Sequence, residues 1–173
     1  DAWFKDTFRD MGQIASHNRF CHLFINGLYW GTYDFTEQAN ASFAPNYYGG
    51  TKEDYDVYEQ GQLKNGTSTA YNAMTAISGL ANNANYELMK QYLDVPQHID
   101  SIIMHLFIGH QDWGGTKNWY ALRKRESGPL GTYKYLPWDG ENLLLDTTID
   151  RDKSPGGYGW PSGLHGRLIE NSQ

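Results

Sequence analysis

One cysteine in 173 residues, six prolines and no long hydrophobic run set the first limits on this chain. With Cys21 alone, an internal disulfide and any cysteine-based zinc site are excluded, and its place in the apolar run FCHLFI predicts a buried, inert thiol. No apolar stretch approaches the roughly 20 residues that span a bilayer, and the opening DAWFKDTF has no basic segment leading into an apolar one. Positive charge is also scarce: 14 Lys and Arg face 20 Asp and Glu, a formal net charge of −6. Generic nucleic-acid binding needs clustered cations against phosphates, and the one basic cluster, Arg123-Lys124-Arg125, is short. His17, His22, His98, His105 and His165 have no second histidine or carboxylate at a ligand-like interval, which argues against a zinc enzyme.

What the chain has instead is aromatic and glycine-rich: 13 Tyr, 6 Trp and 19 Gly, a mixture common in loop-rich extracellular proteins. The length suits one domain with a core. We expect an α+β domain that opens mid-domain and stops where nothing resembles a domain end.

Residues 1–16 mix aromatic and charged positions without a clear period. RFCHLFIN and LYWGTYDFTEQ then read as two strands joined at Asn26-Gly27, because both residues tolerate positive φ. Gly31 within the second strand predicts a bulge or a close backbone approach. Residues 39–66 read as a long irregular loop with one short strand, DVYE. Helical spacing returns in AYNAMTAISGLA and again in NYELMKQYL, predicting two helices or one kinked helix. Asp94-Val95-Pro96 starts another helix, and Ile99, Ile102, Ile103, Leu106 and Phe107 predict its buried face, ending at Gly109. Strands at about 118–125 and 132–138 flank the turn SGPLG; LLLDTTIDRDKSPGGYGWPSG reads as a loop, and LHGRLIENS as a short last helix.

The stretch from His110 to Asp139 carries the chemistry. A loop, GHQDWGGTKN, precedes the hairpin and the acidic patch DGEN follows it, so Asp112, Asn118 and Asp139 can converge. Phosphoryl transfer needs an Asp to accept or orient the attacking hydroxyl's proton, and an Asn and a second Asp to hold the metal on the nucleotide phosphates. His110-Gln111-Asp112 has the outline of the H-R-D turn of protein kinases, Asn118 follows, and Asp139 stands where their D-F-G aspartate would. Asn118 lies six positions after Asp112 where protein kinases have five, so the loop differs in detail.

Each residue also has a plainer reading. Asp112 can be a helix-end turn, Asn118 a cap at the strand entry, and Glu141 and Asn142 ordinary turn residues. Trp138 fits core packing beneath the site. His110 fits either a packed residue or an orienting group for the loop. Glu37 can pair with a nucleotide-binding cation or end a solvated strand, and Tyr29, Trp30 and Tyr33 fit packing across the hairpin, with stacking on adenine as the alternative.

NGLYWGTYDFTEQ, YLDVPQHIDSIIMHLFIGHQDWGGTKNWYALR and YKYLPWDGEN together resemble the CotH kinase family, with its N-G-x-Y-x-G-x-Y-x-x-x-E hairpin, its D-W-x-x-x-N-like loop and its W-D. The likeness runs from about Phe20 to Asn142, and GLHGRLIEN resembles a downstream stretch. The resemblance implies an atypical protein-kinase-like fold, incomplete at both ends, as one domain over residues 1–173. Residues 17–66 would form the nucleotide-side hairpin and loop, and residues 67–173 the helical catalytic part. It implies ATP and Mg²⁺ as cofactors, Ser or Thr of a partner protein as acceptor, and a spore-coat, cell-surface or extracellular location. Asp112 would be the catalytic aspartate, Asp139 the metal ligand with Asn118 assisting and Glu141 as a further ligand, and Tyr33, Glu37, Arg123 and Lys134 would contact the cofactor. In one departure, Tyr58-Glu59 stands where a Tyr-Lys pair is expected, removing a phosphate-binding cation for which Lys52, Lys64, Arg123 or Lys134 could compensate. Two other classes stay open: a catalytically silent surface module on the same fold, which Glu59 favours, and, below it, a carbohydrate hydrolase using Asp112 and Asp139 as its carboxylate pair.

Overall fold

The structure is a computed structural model that describes residues 1–144 and 161–172. Among them, six α-helices and two small antiparallel sheets make an α+β arrangement. The expected loop over residues 145–160 lies outside the described residues. No helix among those described is long and apolar enough to cross a membrane.

Strands β1 (Asn18–Ile25) and β2 (Leu28–Thr36) form the expected hairpin, turning on Asn26 at φ 51° and Gly27 at φ 80°. Those angles suit the right-handed strand twist, which explains why Asn-Gly predicts this turn so well. The expected irregularity at Gly31 is a bulge: Leu23 faces Gly31, but Phe24 faces Tyr29, so Trp30 is the extra residue. Both faces of the hairpin are largely open, and Cys21 is exposed, which corrects the buried thiol expected from its apolar neighbours. Apolar neighbours bury a residue only when a second layer covers the sheet. Tyr29 packs against Phe24 across the hairpin, with ring centroids 5.2 Å apart.

The second sheet runs β4-β3-β5-β6, all antiparallel, from β3 (Tyr55–Glu59), β4 (Gln62–Asn65), β5 (Trp119–Lys124) and β6 (Lys134–Pro137). Its two faces belong to different cores. Tyr58, Trp119, Ala121 and Tyr135 join Met74, Leu80, Met89, Leu93 and Leu164, from the segments of α3 (Thr69–Ala76), α4 (Asn83–Met89) and α6 (Ser162–Leu168). Tyr55, Val57, Tyr120, Leu122 and Leu136 join Phe43 and Ala44, at the start of α2 (Ala44–Tyr48). The sheet thus takes β3 and β4 from the first half of the chain and β5 and β6 from the second.

Residues 39–66 are more ordered than expected, holding α2, a 3₁₀ turn at Lys52–Asp54, and both β3 and β4. The β3–β4 turn was hidden because Gln60, at φ 51°, takes a left-handed position usually given to Asn or Gly. Residues 1–16, seemingly aperiodic, contain α1 (Ala2–Asp10), whose Phe4 and Phe8, one turn apart, meet Ala15, Met104 and Ile108.

Helix α5 (Val95–Phe107) starts where expected, with Asp94 capping the Gln97 N–H at 3.2 Å. Its buried face is the expected one only in part. Val95, His98, Ser101, Ile102, Met104 and His105 point inward, while Ile99, Ile103 and Phe107 are exposed, Phe107 at 75%. Hydrophobic period identifies an apolar stripe, but here the stripe and the contact face are offset by about one residue step, and polar side chains occupy the interior. The last helix begins at Ser162, two residues before the expected start, and ends at Leu168.

Candidate functional site

The site is built at the C-terminal end of α5. Gly109 takes φ 58°, its N–H bonds the Leu106 carbonyl at 3.1 Å, and the His110 N–H bonds the His105 carbonyl at 3.1 Å. That pair of bonds is the Schellman stop, and it folds His110 back over the helix it has just left. The two rings meet: His105 Nδ1 and His110 Nδ1 are 2.9 Å apart. Trp113 stacks on His105 at 4.1 Å, and Phe4 presents its edge to both imidazoles. Both histidines are buried, and desolvation pushes their pKa values down, His105 well below the ordinary range; for His110 the Asp112 charge opposes the shift without cancelling it. A neutral pair is consistent with the geometry, since one Nδ1–H donates and the other Nδ1 accepts.

His110 Nε2 points the other way and lies 3.2 Å from Asp112 Oδ1, a close contact without hydrogen-bond alignment. The other Asp112 oxygen accepts from Asn142 Nδ2 at 3.0 Å, and the Asp112 carbonyl accepts from Asn118 Nδ2 at 3.1 Å. The hairpin exit is therefore tied to the helix exit. Two backbone bonds reinforce this, Gln111 N–H to Asn142 O at 3.1 Å and Leu144 N–H to Ile108 O at 2.9 Å.

Trp119 faces Pro137 in the β5–β6 register, so Asn118 and the Trp138-Asp139 exit lie at the same end of that hairpin. The structure brings together Asp112, Asn118 and the segment carrying Asp139 and Glu141. Asn118 and Asp139 are also two of the five non-glycine residues described with positive φ, at 63° and 57°. Such angles persist only when the surroundings over-determine them, and they cluster at functional sites. Asn118 is buried, whereas the Asp139 and Glu141 side chains are exposed.

Of the four cofactor candidates, the two cations fall elsewhere. Arg123 lies 3.5 Å from Asp56, and Lys134 lies 3.2 Å from Asp94, each committed to a carboxylate. Lys134 pairs with Leu122, three register steps from the Trp119–Pro137 end and about 10 Å along the strand. Neither cation is brought to the acidic cluster. Glu37 accepts from Tyr47 Oη at 2.5 Å and from the His17 N–H at 2.9 Å rather than from a cation, and Tyr33 is exposed on the hairpin. Lys52 and Lys64 lie beside Glu53 and Glu59. Glu59 accepts from Tyr120 Oη at 2.9 Å; burial, joined by Glu59, pushes that phenol up to about 12.

Sequence reasoning missed Asp1, Phe4 and Lys5 of the first helical turn. Lys5 is completely buried, bonds Asp1, lies 3.4 Å from Thr36 Oγ1 at the end of β2, and sits 4.7 Å over the Trp138 ring. Asp139 and Glu141 are among the carboxylates whose charge it feels. The four-residue spacing of Phe4 and Phe8 was the available signal that this segment is a helix with a buried face.

The chemistry of the donors suits a hard cation. With Asn118 Nδ2 committed to the Asp112 carbonyl, its amide oxygen is the side-chain atom left to ligate. Oxygen donors of this kind suit hard divalent cations such as Mg²⁺, Ca²⁺ or Mn²⁺ better than copper. Among the described residues no group of three or more His, Cys, Asp or Glu is gathered as a metal cage.

Fold and site together define an α+β domain in which Asp112, Asn118 and the segment carrying Asp139 meet beside the buried His110. The chain belongs to the CotH kinase family: the family model described as CotH kinase protein matches residues 1–173. No curated protein matches it.

Proposed function

We propose that this chain transfers the γ-phosphate of ATP, with Mg²⁺, to a Ser or Thr hydroxyl of a partner protein, at a spore coat or another cell surface. The observation that carries this reading is the bracing of Asp112 by His110, Asn118 and Asn142, at the hairpin end that also holds Asp139. The Asp112 side chain, held by His110 on one oxygen and Asn142 on the other, is about 32% exposed, so the carboxylate can meet an attacking hydroxyl and take its proton. The hydroxyl oxygen bonds the γ-phosphorus as the bond to the β-phosphate oxygen breaks, ADP leaves, and the proton passes to Asp112. Asp139, with Asn118 and Glu141, would hold Mg²⁺, which when bound neutralises charge on the transferring phosphate. His110 keeps the Asp112 carboxylate in place.

The experiment separates the two aspartates. Asp112→Asn should lower phosphate transfer from labelled ATP by about 10²–10⁴-fold while leaving calorimetric Mg·ATP affinity nearly unchanged. Asp139→Ala should weaken Mg-dependent nucleotide binding itself. Full transfer activity in both variants would overturn the reading. A catalytically silent binding module is the second reading, favoured by Glu59, which holds Tyr120 and Lys64 where a phosphate-binding lysine is expected. Failure of the parent chain to bind Mg·ATP would select it.

A further inference from the structure

We propose that Lys5 is a positioning residue that, together with Asp1 and Phe4, locks the Trp138-Asp139-Gly140 turn and thereby aims Asp139. The inference rests on the reading that Asp139 holds Mg²⁺. A lysine is almost never fully buried unless it is paired, and Lys5 is 0% exposed. Its bonded acid is Asp1, four residues earlier at the N-cap of α1. The second oxygen of Asp1 accepts the Gly140 N–H at 2.9 Å, so one carboxylate ties the buried cation to the backbone just after Asp139. On the other side of Asp139, the Lys5 ammonium lies over the Trp138 ring at 4.7 Å.

Phe4 completes the lock. A Cβ built on Gly140 would come within 2.5 Å of Phe4 Cδ1, so the turn backbone passes directly against the ring, and only glycine allows that approach. The same ring meets His105 and His110 edge-on, at 5.1 and 5.7 Å, which connects the lock to the imidazole beside Asp112. Both neighbours of Asp139 are therefore fixed from α1, while Asp139 itself keeps its left-handed φ and an exposed carboxylate.

Electrostatics gives the cation a reason to be there. Burial pulls the Lys5 pKa down, and the charges of Asp34, Asp139 and Glu141 oppose that shift. A buried positive charge behind the turn offsets their repulsion before any metal arrives, and in low dielectric that offset is stronger than in water. Because Lys5 reaches no solvent, it acts through the turn rather than on a substrate.

The test is Lys5→Met in the full chain, which keeps the stem and removes the charge. Loss of an outer-shell partner should weaken Mg·ATP binding by about 10–100-fold in calorimetry, with Mg-free ATP binding unchanged. Hydrogen exchange at the Gly140 amide should become faster in the same variant. Asp1→Asn, which keeps the shape of the clamp but weakens the ion pair, should show both effects to a smaller degree and serves if Lys5→Met does not fold. Unchanged Gly140 exchange together with unchanged Mg·ATP affinity in a folded variant would overturn the proposal. If the parent binds no Mg·ATP, the functional reading fails on its own, while faster Gly140 exchange still supports the lock and unchanged exchange refutes it.

Discussion

His98 shows how one residue can set a solution property of the chain. It is fully buried against Tyr135, neither ring nitrogen has an aligned protein partner among the described residues, and desolvation, with His165 nearby, lowers its pKa to about 3. The ordinary histidine value is about 6.5, so between these two values the unfolded chain binds the proton and the native one does not. Stability is then complete above pH 6.5 and falls as pH drops toward 3, by up to about 1.4 kcal/mol per pH unit for this histidine alone. His105 is shifted in the same direction and adds to the slope. Urea midpoints measured from pH 7 to pH 4 should fall steeply, and His98→Gln should flatten part of that profile. At the same scale, the meeting of Asp112, Asn118 and the segment carrying Asp139 was legible, because their order around one hairpin places them at the same end. Lys5 was not legible, because its role depends on a contact with Trp138, far away in sequence.

Helix α5 does two jobs, and its sequence announced only one. Its start and stop were readable from Asp94, Pro96 and Gly109, because caps are local chemistry. Gly109 at φ 58° has open space where a Cβ would go, so the cost of Gly109→Ala is the left-handed backbone alone. We expect a loss of about 1 kcal/mol in chemical denaturation, with transfer activity reduced further because His110 is set by that turn. The inward face was misread in part, since Ile99, Ile103 and Phe107 form a regular apolar stripe yet stand exposed. Ile103→Lys should therefore shift stability by no more than about 0.5 kcal/mol, whereas an inward-facing Ile103 would make the same change severely destabilising. The β1–β2 hairpin gives the same lesson from the other side, with its turn and bulge predicted and its exposure missed, so that Cys21 stands in solvent.

Across the whole molecule, segments that read as separate parts are interleaved. β3 and β4 share a sheet with β5 and β6, and α1 closes over the turn after β6. The α+β class, the Asn26-Gly27 hairpin, α5 and its caps, the β5–β6 hairpin and the acid, amide, acid order were determined by sequence alone, because each rests on local backbone preference or on residue chemistry. Only the tertiary structure decided which face of α5 is buried, that Arg123 and Lys134 answer Asp56 and Asp94, and that Lys5 lies behind Asp139. Those facts depend on which charges and surfaces meet across long sequence separations. Periodicity and motif spacing carry no record of that, whereas packing fixes it.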